Sequence, residues 1–247
     1  MTSARIGLVD LTGALNSHMI DAAAAAISAQ IAQDVAKFWP VEATIEQFPS
    51  LDAVPAGVWP VQLVDSLPDN EGGYHNTLSN QPFAKVIATQ DSNDWTLDAS
   101  HEIIEMLIDP YGNRLQASIA LGIVGGVIQD VDGTVQYVVE ACDPCQTNSY
   151  PIDGFKMSDF VTPHFYDPQP APGTQYSLMG VIDRPRQILP GGYISWVDPA
   201  SHQIRQILWL DPAQPPREVD HGQPDGASLR AFIEVRTAHK VRSIRSS

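Results

Sequence analysis

The stretch Ser100-His101-Glu102-Ile103-Ile104-Glu105-Met106-Leu107-Ile108-Asp109-Pro110 constrains this chain more than any other. It reads as a short helix that stops before Pro110. At roughly 100° per residue, His101, Glu102, Glu105 and Asp109 fall within one arc of roughly 100°, and the aliphatic residues fill the rest. An acidic helical face normally carries Lys or Arg one turn away. This one carries none. Three carboxylates and an imidazole on one arc repel each other or compete for protons unless a positive charge sits among them. A divalent metal ion is the economical answer. The competing reading is an ordinary amphipathic surface helix.

Composition narrows the partners. The net charge is −15 over 247 residues. Phosphate contacts need clustered Lys and Arg, so nucleic acid is not expected, and neither is an anionic membrane surface. The late cations Arg236, His239, Lys240, Arg242 and Arg245 read as a solvated tail. No run approaches the roughly 20 apolar residues of a membrane span. The N-terminal residues enter a strand-like segment with no signal-peptide pattern, so the expected location is cytoplasmic. Cys142 and Cys145 are the only cysteines, spaced C-x-x-C. A single pair is at most half a structural zinc site, and Pro144 points to a loop, not a redox helix.

The hydrophobic pattern predicts an α+β chain. Strands are expected at Arg5–Leu11, Ala43–Phe48, Val58–Asp65 and Phe83–Thr89. Asn16 or Ser17 caps a helix that runs through Ala22–Ala26 to about Lys37 and ends before Pro40. Pro68 to Asn76 reads as a polar loop, and the second helix covers Leu97–Ile108. Beyond Pro110 the texture changes. Leu115–Gly125 is small and apolar, Asp130-Val131-Asp132-Gly133 is a turn signal, and Thr134–Glu140 is strand-like. Residues 162–190 are rich in Pro and Tyr and read as loops. Strands follow at Gly191–Val197, Gln203–Leu210 and Leu229–Thr237. The expected division is residues 1–110 and 111–247, as two subdomains or one continuous domain. There is no repeat, no P-loop and no G-x-S-x-G elbow.

The H-E-x-x-E string on a helix after this strand order resembles the zincins, the superfamily of zinc-dependent metallopeptidases. The resemblance covers roughly residues 5–110, and Glu105 stands where the usual motif has a second His. It implies a mixed sheet, a backing helix, an edge strand along the cleft and an active-site helix; the pattern beyond Pro110 adds a loop-rich, strand-containing C-terminal half. Gly73-Tyr74-His75, the box at 100–106 and Glu140-x-Cys142-Asp143-Pro144 are also similar to a group of uncharacterised bacterial proteins.

The resemblance implies one Zn2+ per chain, with His101 and Glu105 as ligands, because zinc accepts carboxylate oxygen. Glu102 is then the general base of a hydrolase acting on peptide or protein. Glu140 is the first choice for a third ligand, followed by Asp143, His164 and His75. Asp109 is a candidate to orient a ligand, and Tyr74 and Tyr150 are candidate oxyanion donors. Two other classes compete. One is a non-catalytic binding or structural protein on a degenerate zincin scaffold. The other is a carboxylate-rich iron or manganese protein, for which the paired helical motifs are missing.

Overall fold

The computed structural model describes residues 2–67, 72–89, 92–224 and 228–233. In chain order the elements are β1 (Thr2–Asp10), α1 (Ser17–Gln33), β2 (Val41–Phe48), β3 (Val58–Val64), β4 (Gly73–Leu78), β5 (Gln81–Ile87), α2 (Trp95–Ile108), β6 (Leu115–Val124), β7 (Val127–Val138), β8 (Ser149–Ile152), β9 (Phe155–Ser158), β10 (Tyr193–Val197), β11 (Ile204–Leu208) and β12 (Arg217–Gly222). They form two compact units. The first is residues 1–111 with 149–158, and the second is 112–148 with 159–247. The segment 149–158, expected within the C-terminal half, therefore belongs with the N-terminal unit.

The first unit is built on a five-stranded mixed sheet in the order β2-β1-β3-β5-β4. β1 pairs in parallel with β2 and β3, and β3 with β5, while β4 runs antiparallel at the edge. Ile6, Leu8, Val61, Leu63, Ala84 and Val86 make a buried apolar layer. Helix α1 begins where the Asn16 side chain accepts a hydrogen bond from the His18 amide at 2.9 Å, so one of the otherwise unpaired first-turn amides is satisfied. Its run of five alanines costs little side-chain entropy and packs closely.

The β8–β9 hairpin packs on α1 and α2 through buried polar anchors. Gln30 Nε2 donates to the Ser158 carbonyl at 2.9 Å, the Ser158 amide donates to Ser100 Oγ at 2.8 Å, and Thr96 Oγ1 donates to the Lys156 carbonyl at 2.9 Å. Such bonds matter because a buried polar group left unpaired costs about 1–3 kcal/mol.

Strand β4 corrects the sequence expectation of a loop from Pro68 to Asn76. Residues 68–71 lie outside the described residues, but 73–78 pair with β5 from Gly73↔Val86 to Leu78↔Gln81. The hairpin closes through Ser79 and Asn80, with φ of 51° and 63°. These left-handed values match the two-residue turn whose twist suits a hairpin.

The second unit is an antiparallel sheet in the order β12-β11-β10-β7-β6. The turn expected at 130–133 is instead at Gly125-Gly126, whose φ values are 62° and 82°. Asp130–Gly133 lies inside β7. There Ile119 pairs with Thr134 and Leu121 with Asp130, so Val131, Asp132 and Gly133 face Ala120 alone, as a special bulge larger than the usual two-against-one kind. The strand expected at Leu229–Thr237 is also corrected. Residues 229–233 are helical, and 234–247, with the late cations, lie outside the described residues. Ser228 Oγ accepts from the Ala231 amide at 3.0 Å, and Leu229, Phe232 and Ile233 turn one face onto Val138 and Ile204.

Loop residues 159–192 are fixed to the second unit by Arg186, whose side chain is 1% exposed. Its guanidinium meets both Asp130 carboxylate oxygens at 2.9 Å, Ser118 Oγ at 2.9 Å and the Asp167 carbonyl. Arg186 is buried but Asp130 is 43% exposed, so losing the guanidinium chiefly deprives Ser118 Oγ and the Asp167 carbonyl of their bonds to it. Arg186→Met is therefore expected to lower the stability of the protein by about 1–3 kcal/mol, read from urea unfolding. A loss below about 0.5 kcal/mol, the range of ordinary surface changes, would contradict this account.

Candidate metal centre

Helix α2 is buried almost all round, which the amphipathic pattern does not suggest. Its apolar residues pack inward, and so do Glu102, 5% exposed, and Glu105, fully buried. The polar arc faces protein. Part of what it faces is β4, whose pleat sends alternate side chains to opposite sides. His75 pairs with Ala84 and is buried at 2% exposure. Tyr74 pairs with Lys85 on the other side, where its ring meets Phe83 edge-on at 6.2 Å.

His75 Nδ1 lies 2.9 Å from Glu102 Oε2 and 3.9 Å from Glu105 Oε2. One turn along the helix, His101 Nε2 lies 3.4 Å from Glu105 Oε2. A ligand atom from each of His75, Glu102 and Glu105 falls within 4.8 Å of the other two. Buried groups of this kind can bind a metal ion. Four ligands at about 2.1 Å around a tetrahedral ion stand roughly 3.4 Å apart, the spacing of the His101–Glu105 pair. One imidazole nitrogen with carboxylate oxygens is a donor set that zinc and harder divalent ions accept.

The close approach of β4 and α2 depends on two glycines. A Cβ at residue 73 would stand 3.1 Å from Glu102 Cγ and 3.3 Å from Glu102 Oε1. A Cβ at residue 72 would stand 2.4 Å from Asp98 Oδ2, so the Asp98 carboxylate would have to move aside. Asp98 joins the site from the turn of α2 before Glu102. It was not anticipated, although it falls at 60° within the same helical arc as His101 and Asp109. Burial raises its carboxyl from 3.8 to about 6; His101 opposes the shift, and Glu102 and Asp94 add to it.

The remaining candidates are placed as follows. Asp109 ends α2, and its amide donates to the Glu105 carbonyl at 2.8 Å. Tyr150 donates from its hydroxyl to Asp34 Oδ2 at 2.9 Å, on the β8–α1 contact. Glu140, Asp143 and His164 belong to the second unit. There Glu140 forms an ion pair with Arg230, and exposed His164 bonds to Asp167 Oδ2 at 2.8 Å. Asp143 is buried in the 3-10 turn Asp143–Cys145. Cys142 and Cys145 are both buried and form no disulfide, and the Cys145 thiol bonds to the Asp159 carboxylate.

No protein-family model, curated protein or solved structure matches this chain.

Two predictions follow from the geometry around Asp98 and Gly73. An acid whose folded pKa exceeds its unfolded value holds its proton more tightly in the folded state. Its contribution to stability is then lost as pH rises from about 4 to about 6. Asp98→Asn should flatten this decline in the metal-free protein, read as the difference between wild-type and variant unfolding curves from pH 3.5 to 7. Parallel curves would refute the buried carboxyl. Gly73→Val should displace Glu102 and lower the melting temperature by several degrees, because β4 cannot retreat without breaking its pairing with β5.

Proposed function

We propose that the first unit is a zincin-like, zinc-binding hydrolase domain that acts on peptide or protein, with His101 and Glu105 as ligands and Glu102 as general base. The observation that carries the reading is the 3.4 Å approach of His101 Nε2 to buried Glu105 Oε2, with the Glu102 carboxylate turned toward the edge strand. It is supported by a mixed sheet whose antiparallel edge strand lies beside the motif-bearing helix. Helix α1 lies against the same sheet.

A zinc ion bound there supplies positive charge that polarises a scissile carbonyl and makes water more acidic. The protein's own groups do the rest. His101 offers a neutral ring nitrogen, and Glu105 offers carboxylate oxygen. Glu102 accepts a proton from the attacking water and returns it to the leaving amine.

A second reading is favoured by the depth of the site. With Glu102 5% and Glu105 0% exposed, the ion can instead be structural, in a protein that binds without turnover. Metal analysis and one substitution separate the two. Protein purified without added metal should carry about one zinc per chain, and His101→Ala should remove it. Glu102→Gln should keep the zinc and lower cleavage of a quenched-fluorescence peptide library on the order of 10²–10⁴-fold. Zinc retained with no cleavage by wild type would favour the structural reading. No zinc at all would refute both.

A further inference from the structure

We infer that His75 is the positioning residue for Glu102: its Nδ1–H fixes Glu102 Oε2, leaving Oε1 to accept the proton. The inference rests on the functional reading above and assigns His75, there unused, a role other than metal ligand.

Three observations meet at this contact. His75 Nδ1 is 2.9 Å from Glu102 Oε2 but 3.9 Å from Glu105 Oε2, so the hydrogen bond belongs to Glu102. A carboxylate can only accept, so Nδ1 is the donor atom. Both side chains are at least nine-tenths buried, and in such surroundings a charge-assisted bond is stronger and more directional than in water. The missing side chain at Gly73 lets the β4 backbone also come close to the same side chain, with its Cβ position 3.3 Å from Glu102 Oε1. Imidazole at Oε2 and backbone near Oε1 leave Glu102 little rotational freedom. A glutamate on a helix otherwise samples several rotamers, and a base held in place avoids that entropy loss during proton transfer.

His75 reaches the contact because β4 places it on the same face as Gly73. A two-residue offset preserves that face, while a shift of one residue would put Tyr74 there. The Ser79-Asn80 turn fixes this register. The antiparallel edge strand thus delivers a specific side chain to a specific carboxylate.

The test needs no substrate. Full-length protein is loaded with cobalt(II), a visible stand-in for zinc, and titrated with acetohydroxamic acid, which chelates such an ion as the hydroxamate after giving its proton to a neighbouring base. Two variants of similar size distinguish the atoms. Asn places its amide nitrogen where His Nδ1 stands, and Gln places its own where Nε2 stands. His75→Asn should bind acetohydroxamate within about threefold of wild type, and His75→Gln should bind about tenfold more weakly, as expected for one lost charge-assisted bond. Glu102→Gln should show the same loss, and adding His75→Gln to it should cost nothing more.

The resting cobalt absorption spectrum should be unchanged in every variant. Loss of cobalt from His75→Gln or His75→Asn would make His75 a ligand and overturn the proposal. Equal acetohydroxamate affinity in His75→Gln and wild type would overturn it too, as would wild type that takes cobalt but no acetohydroxamate. Wild type that takes no cobalt refutes the metal reading itself, a failure visible before any probe is added.

Discussion

Two glutamates lie one helical turn apart inside the first unit, and their burial is the condition around which the nearby structure is arranged. Desolvating a carboxylate costs several kcal/mol unless hydrogen bonds or opposite charge replace the lost water. His75 and His101 stand beside them at 2.9 to 3.9 Å. Such an arrangement is a poor way to stabilise a core, because leucines of similar volume would do better. The proposed zinc ion would supply the compensating charge.

The geometry comes from backbone more than from side chains. An edge strand with a two-residue turn brings His75 to the helix, and two glycines let the strand come close. The helix supplies its groups at a spacing of three or four residues, which puts them on one face without further adjustment. The hairpin β8–β9 holds the other side of the helix through Ser100 and Thr96. Rigid elements, not loops, therefore define the relative positions of His75, His101, Glu102 and Glu105.

The helix and its cluster of ionisable side chains were legible in the sequence because one helical arc gathers every ionisable group of that segment. Helix α1 was legible from Asn16 and the alanines, and the parallel strands from their apolar runs. Strand β4 was not, because an edge strand has one neighbour and needs no apolar alternation; Gly72-Gly73 and the polar residues after it look like loop. His75 was in view as a candidate, but its proximity to Glu102 depends on the β4–β5 register, which no local pattern encodes. Asp98 was legible and passed over, since it lies on the same arc one turn earlier. In the second unit, Asp130–Gly133 has the composition of a turn, yet the glycine pair at 125–126 reaches the left-handed region more cheaply and takes that role. Leu229, Phe232 and Ile233 are spaced for a helix, and their β-favouring neighbours concealed that period.

The division of the chain carries a consequence for its synthesis. The first 111 residues hold the whole five-stranded sheet and both helices, but the ribbon that satisfies Gln30 and Ser100 is encoded only at 149–158. A ribosome releasing the chain from its N-terminus exposes an unfinished layer until more than thirty further residues have emerged. Completion of the layer around α2 is thus tied to translation into the neighbouring unit, and a fragment cut after residue 111 would lack the β8–β9 ribbon that bonds to both helices.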